Sequence, residues 1–221
     1  MKIEIWSDVV CPWCYIGKRR FEKALAAFPH ADDVEVVWRS FELNPEQPKG
    51  VHQPLEESLA AKYDRSIEDI RAMNDHVAQI AAAEGLAYDF DRYTVVNTFD
   101  AHRLTHLANQ YGRGAEPHER FLRAQLVEGE VLDDPETLAR LSGEIGLPED
   151  EVRRVLQSDE YAAEVNEDTR ELRALGGNGV PFFVIDRQYG ISGAQPTELF
   201  LQALETAHER GAQLAGAAQS G

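Results

Sequence analysis

Cys11-Pro12-Trp13-Cys14 holds both cysteines of the 221-residue chain and sits where the hydrophobic period changes. Before it, Lys2 to Trp6 alternates polar and apolar side chains, with Ile3 and Ile5 on one face, which predicts a short strand. Ser7 and Asp8 are turn and cap residues. From Pro12 the apolar residues Ile16, Phe21, Ala24, Leu25 and Phe28 recur at helical spacing, and Pro29 closes the helix. Val34-Glu35-Val36-Val37-Trp38 is rich in β-branched residues and reads as a second strand. The opening is a βαβ unit, whose two strands are parallel and joined by a right-handed crossover.

Working outward, Asn44-Pro45, Pro48-Lys49-Gly50 and Pro54 mark a loop, and helical periodicity then dominates. Ile67, Ile70, Met73, Val77 and Ile80 form one predicted face, ending near Gly85. Further helices are expected over 98–111, with Asn97 or Thr98 as cap, over 116–127, over 135–145 behind Asp134, from Pro148, and over 161–175. Phe182-Phe183-Val184-Ile185, a tight turn at Asp186-Arg187, and Gln188 to Ser192 predict a β-hairpin. A terminal helix over 196–208 follows, with Leu199, Phe200, Ala203 and Leu204 facing inward, and a small-residue tail at 215–221 is expected to fray. The fold class is therefore α/β: βαβ, a large all-helical insertion, then ββα, giving a small mixed sheet with helices on both faces. The division follows as 1–50 and 176–214 for the two parts of the sheet domain, and 51–175 for the insertion.

The net charge of -17 opposes a phosphate backbone, and the Lys and Arg residues are scattered, which argues against nucleic acid and anionic membrane surfaces as partners. No stretch approaches the roughly 18 apolar residues of a spanning helix, and acidic residues interrupt any signal-peptide core near the start. The expected location is the cytoplasm, where disulfides are usually transient and catalytic.

Cys11 falls at a helix N-terminus, where unpaired N–H groups and the positive dipole end favour a thiolate. Cys14 follows one turn later, within reach of a mixed disulfide at Cys11. Pro12 takes an early helical position without losing a hydrogen bond, and Trp13 offers an apolar surface to the sulfur or to a substrate. A structural Cys11–Cys14 disulfide would close a tiny loop and remove little unfolded-state entropy. A zinc site needs two more ligands; His102 and His106 stand i,i+4, but no second CxxC exists, so no metal is expected. Two inert cysteines at this spacing are the third bland alternative.

Gly179-Val180-Pro181 directly precedes the later strand. Proline belongs at a strand start, and an X-Pro bond can be cis at modest cost, so trans and cis readings both stand here. A cis Pro181 beside the CxxC helix would present the Val180 backbone to an extended substrate.

With these residues in place, the chain resembles the thioredoxin-like DsbA family, and within it the FrnE-like branch, which shares the opening WSDxxCPWCYIG found at Trp6 to Gly17. The resemblance extends over almost the whole chain, through Phe41-Glu42-Leu43-Asn44-Pro45, Asn97-Thr98-Phe99-Asp100-Ala101-His102, and GVPFFVID followed by Ile191-Ser192-Gly193-Ala194-Gln195-Pro196. It implies a thioredoxin-like fold with a helical insertion, Cys11 as nucleophile, Cys14 as resolving thiol, and Pro181 as a cis proline opposite. Thioredoxin and DsbA carry a buried carboxylate six residues before the first cysteine, where this chain has Ile5. Asp8 is a candidate proton acceptor in its stead, or a helix cap. His102, with Arg103 or Asp100, faces the Cys11 sulfur if the insertion folds over it, and otherwise belongs to a polar helix face.

The implied activity is thiol–disulfide exchange with a thiol- or disulfide-bearing protein or small molecule. The redox group is the Cys11–Cys14 disulfide itself, without a separate cofactor and with glutathione as a candidate co-substrate. A related group, kappa-class glutathione transferases and 2-hydroxychromene-2-carboxylate isomerases, typically has Ser at the position of Cys11 and lacks the second thiol. Two retained thiols favour exchange over glutathione-dependent isomerisation, and a non-catalytic binding or chaperone module would not need the second thiol.

Overall fold

The computed structural model describes residues 1–218. Strand β1 (Lys2–Ser7) feeds helix α1 (Pro12–Ala27), and the chain returns through a 3-10 turn to β2 (Glu35–Ser40). There follow β3 (Gln53–Pro54), α2 (Leu55–Tyr63), α3 (Ile67–Ala83), β4 (Thr94–Val95), α4 (Phe99–Gln110), α5 (Glu116–Arg123), α6 (Pro135–Glu144), α7 (Glu149–Leu156) and α8 (Ala162–Ala174). The hairpin β5 (Phe182–Ile185) and β6 (Tyr189–Ser192) precedes the last helix, α9 (Thr197–Ala218).

The main sheet has the order β2-β1-β5-β6. β1 runs parallel to β2, with Ile5 opposite Trp38, and antiparallel to β5, with Ile5 opposite Phe183. Alternation along β1 sends Ile3 and Ile5 to one face and Glu4 and Trp6 to the other. On the first face α1 and α9 close a core in which Phe21, Phe183 and Phe200 meet with ring centroids 4.6–5.9 Å apart. On the second, Trp6 and Val184 pack under Leu172 of α8, and the Trp6 indole donates to the Asp168 carbonyl at 2.7 Å. Glu4 is buried between Arg39 and Arg187. Burial would raise its carboxyl, but the two guanidiniums outweigh that and hold it below the usual range.

The hairpin turns at Asp186 and Arg187 with φ of 47° and 54°, the left-handed pair that matches strand twist. Asp186 fits because its carboxylate accepts from the Lys2 amide at 2.7 Å. Asp134 caps α6 by accepting from the Thr137 amide at 2.8 Å, with Pro135 behind it. At α4 the capping is split: Thr98 holds the cap position before Phe99 without a side-chain bond, and the Asn97 side chain takes the Phe99 amide at 3.0 Å.

Some expectations are corrected. The loop from Asn44 gives way to helix at Leu55, as expected, but Pro54, expected in the loop, pairs with Thr94 in a two-stranded ribbon. Ile67 and Met73 do not face inward with Ile70; both are exposed, and α3 buries Ile70, Asn74 and Ala81 instead. The helix forms a cleft wall, so its apolar stripe is divided between core and opening. Leu199 is likewise exposed, because α9 turns Phe200, Leu204 and Ala207 to the sheet at i, i+4 and i+7. The tail expected to fray is helix as far as Ala218, and 219–221 lie outside the described residues. The α5 stretch passes at Ala124 into a π-helical turn to Glu128. Among the described residues, no helix is long and apolar enough to cross a membrane.

Candidate active site at the cysteine pair

Strand β1 ends at Ser7, and a tight turn carries the chain into α1: the Cys11 amide donates to the Asp8 carbonyl at 3.1 Å. Cys11 is the residue that precedes α1, in extended conformation, and no side chain caps the helix end there. Pro12 brings no N–H, and the Cys14 amide donates to the Cys11 carbonyl at 3.1 Å, which leaves the Trp13 amide as the first-turn donor nearest the thiol. Pro12 occupies the first helical position, as the sequence suggests. Both cysteines are free, and both are buried, Cys11 at 4% exposure and Cys14 at 1%. Burial, followed by the neighbouring Cys11, pushes the Cys14 thiol well above its ordinary range.

The Val180–Pro181 peptide is cis, resolving the open alternative, and the Val180 carbonyl lies 3.7 Å from the Cys11 sulfur. Gly17 makes this approach possible: a Cβ there would sit 3.0 Å from Cγ of Pro181 and 3.5 Å from Ala194. Residues distant in sequence thus converge through the β1–β5 pairing, which sets the start of β5 against the end of β1.

Cys11, Pro12 and Trp13 line one side of a cleft of about 350 Å³, with Val180 beside them. Leu55, Leu59, Met73 and Val77 of α2 and α3 supply the opposite wall, and Trp13 is 39% exposed. The lining is mostly apolar, with Lys62 and Asp8 as its charged members. The segment between α3 and α4 adds Phe90 and Tyr93. Two tyrosines of that segment reach the cysteine turn: Tyr88 donates to the Pro12 carbonyl at 2.7 Å and Tyr93 to the Val10 carbonyl at 2.8 Å. Sequence reasoning missed both; the available signal was an aromatic-rich run, Tyr88 to Tyr93, interrupting two helices.

Asp8 does not cap α1. Its carboxylate accepts from the Leu43 amide at 2.7 Å, and its other oxygen lies 3.2 Å from Nε2 of His102. His102 is correspondingly not on a polar face but fully buried. Glu42, another residue the sequence reading did not single out as functional, has one carboxylate oxygen buried without a hydrogen-bond partner, and burial raises its pKa. Arg103 and Asp100 pair with each other at 2.8 Å, and Arg103 also holds the carbonyls of Val155, Ser158 and Glu160, so they brace the insertion. His106 turns to Ser40 and Asp168, away from His102's partner. Among the described residues, no three His, Cys, Asp or Glu side chains cluster to hold a metal.

A helix-start thiol open to a cleft, with a second thiol one turn behind, has the arrangement needed to form and resolve a mixed disulfide. Comparison with known proteins bears on the family and the fold. A probable DsbA oxidoreductase from Streptomyces coelicolor is 51% identical, with a TM-score of 0.91 over 95% of this chain and 90% of its own. A 2-hydroxychromene-2-carboxylate isomerase shares the fold at 15% identity, with a TM-score of 0.70 over 97% of this chain and 99% of its own. The cytosolic disulfide reductase DsbM from Pseudomonas aeruginosa, in a structure with glutathione, does so at 20% identity, with a TM-score of 0.66 over 95% of this chain and 100% of its own. Residues 2–205 match the DSBA-like thioredoxin domain. The chain belongs to that family, and its fold is thioredoxin-like with a helical insertion.

Proposed function

We propose that the protein is a thiol–disulfide oxidoreductase in which Cys11 attacks and Cys14 resolves. The observation that carries this reading is the placement of Cys11 at the start of α1, on an apolar cleft, with Val180 beside its sulfur and Cys14 buried behind it. The Cys11 thiolate attacks a substrate disulfide R–S–S–R′, forming Cys11–S–S–R and releasing R′–S⁻. Cys14 gives up its proton and attacks the Cys11 sulfur, forming the Cys11–Cys14 disulfide and releasing R–S⁻. Two electrons thereby pass from the dithiol to the substrate, and two molecules of a small thiol, or one protein dithiol, return the pair to the dithiol and leave as a disulfide. The same steps reversed oxidise a substrate dithiol.

Substrate contacts fall to Pro12, Trp13, Val180 and Pro181, while Asp8 borders the cleft beside them and His102 holds Asp8. The substrates are thiol- or disulfide-bearing proteins or small molecules, and the working compartment is the cytoplasm. The disulfide reductase that shares this fold, found with glutathione, supports a small thiol as the resetting partner.

Exchange assays with Cys11→Ser and Cys14→Ser variants test the reading. Cys11→Ser is expected to abolish disulfide exchange, and Cys14→Ser to accumulate mixed disulfides at Cys11. Full exchange by Cys11→Ser would overturn it. Turnover of an aromatic cis/trans ketoacid with reduced glutathione, surviving loss of Cys14, would instead support the isomerase reading that the chromene isomerase fold suggests. Ligand affinity indifferent to both thiols would indicate a binding module.

A further inference from the structure

We infer that Tyr88 and Tyr93 are positioning residues for Cys11: by donating to the two carbonyls that flank it, they hold its turn and favour the reduced form of the pair. The inference rests on the reading of Cys11 as the nucleophile.

The Val10 carbonyl lies in the turn before α1, outside the helical ladder, and the Tyr93 hydroxyl is its donor at 2.8 Å. The Pro12 carbonyl lies in the first turn of α1 and receives Tyr88 at 2.7 Å. Both phenols are fixed from behind. Tyr88 stacks on Tyr15, with centroids 6.3 Å apart, and the Tyr15 hydroxyl is itself held by Glu119 at 2.6 Å. Tyr93 is buried and packs beside Phe90.

A peptide carbonyl presents the negative end of its dipole. The carbonyls of the two residues that flank Cys11 add to the field at a sulfur that must carry negative charge, and a hydroxyl donating to each offsets part of their dipole. Burial raises both phenols, with the neighbouring Cys11 adding to it, so they stay protonated donors wherever the protein is folded and active. Tyr93 also lines the cleft, which couples the wall a substrate touches to the turn that presents the sulfur. The hydroxyls act on the thiolate and not on the disulfide, so they favour the dithiol state.

The test uses Tyr88→Phe, Tyr93→Phe and the double variant, each keeping its ring. In a glutathione redox buffer the equilibrium is expected to shift toward the disulfide, about fourfold for either substitution and about tenfold for both. Tenfold corresponds to about 30 mV for a two-electron couple. In a Cys14→Ser background the midpoint of the pH profile for Cys11 alkylation is expected to rise in the same order. Leu204→Ala, in the core between the sheet and α9 and outside the clusters that hold the turn, serves as the control for lost stability. It is expected to lower the melting temperature without moving the redox equilibrium. Folded tyrosine variants with an unchanged equilibrium and alkylation profile would overturn the inference, even while the unaltered chain exchanges disulfides. An unaltered chain whose exchange persists without Cys11 would overturn the underlying reading and this inference with it; the two failures are separated by the Cys11→Ser assay.

Discussion

Asp8 Oδ1 lies 3.2 Å from Nε2 of His102, with neither residue open to solvent, and the pair ties the turn before Cys11 to helix α4. The other Asp8 oxygen takes the Leu43 amide, so one carboxylate joins three segments. Asp8→Ala leaves that amide and the imidazole without their partner, and is expected to cost about 2–4 kcal/mol. Asp8→Asn keeps an acceptor for Leu43 and is expected to cost less than half of that. Urea denaturation measures both, and an alanine variant within about 0.5 kcal/mol of the unaltered chain would show that the carboxylate holds nothing.

His118 predicts the pH dependence of stability. Its ring is fully buried against Trp38, with centroids 4.5 Å apart, and neither nitrogen has a partner. Burial, then the charges of His102, Lys18 and His106, push it well below the ordinary histidine range. The unfolded chain therefore takes up a proton below about pH 6.5 that the folded chain refuses. Stability is full above that pH and falls below it, by up to about 1.4 kcal/mol per pH unit from this group. His118→Phe removes this slope between pH 6.5 and 5 and is expected to cost little at pH 7.5, because no hydrogen bond is lost. Parallel slopes for the two proteins would refute it.

Glu119 governs a lower window. Burial alone would raise its carboxyl, but hydrogen bonds from Arg19, Lys18 and Tyr15 hold it at about 2, tying α5 to α1. A depressed acid contributes stability above its unfolded value and loses it as pH falls from about 4.5 toward 2. The carboxylate is about one-third exposed, at 36%, so screening reduces its worth to about 1–2 kcal/mol. Glu119→Gln is expected to lose that amount at pH 7 and to flatten acid unfolding across this window, as followed by circular dichroism.

Gly17 weighs two effects of similar size. Alanine gains about 1 kcal/mol of helix propensity but forces Pro181 or α1 to shift by a few tenths of an ångström. Gly17→Ala is therefore expected to change stability by less than about 1 kcal/mol. Valine lacks most of that gain and overpacks further, so Gly17→Val is expected to cost about 2–3 kcal/mol and to slow disulfide exchange as Val180 is displaced from Cys11. Thermal melts and exchange rates check both effects, and a valine variant with unaltered exchange would show that the Gly17–Pro181 approach does not set the site.

The legible parts of the molecule are those whose signal is local. The change of period at Pro12, the stop at Pro29, and the strand before Asp186-Arg187 are short-range patterns, and they correctly order the elements of the sheet. Helix α2 escaped as a separate element because Leu55 to Tyr63 has only one buried residue and thus no clear stripe. Met73 and Leu199 were misdirected because an apolar side chain at helical spacing does not say whether it meets a core or a cleft. Tyr88, Tyr93 and the Asp8–His102 contact depend on partners many turns away, and periodicity carries no information about such pairing.

β1 lies at the centre of the sheet, with one neighbour supplied early in the chain and the other only after the insertion. During synthesis, Cys11 and Cys14 emerge before the insertion, and Val180 and Pro181 only after it. Until β5 arrives, β1 has an open edge and the cysteine helix lacks the Val180–Pro181 side of its site. A nascent chain therefore carries its thiols through the whole insertion without the proline wall beside them, and the reactive centre is completed only once β5 has been made.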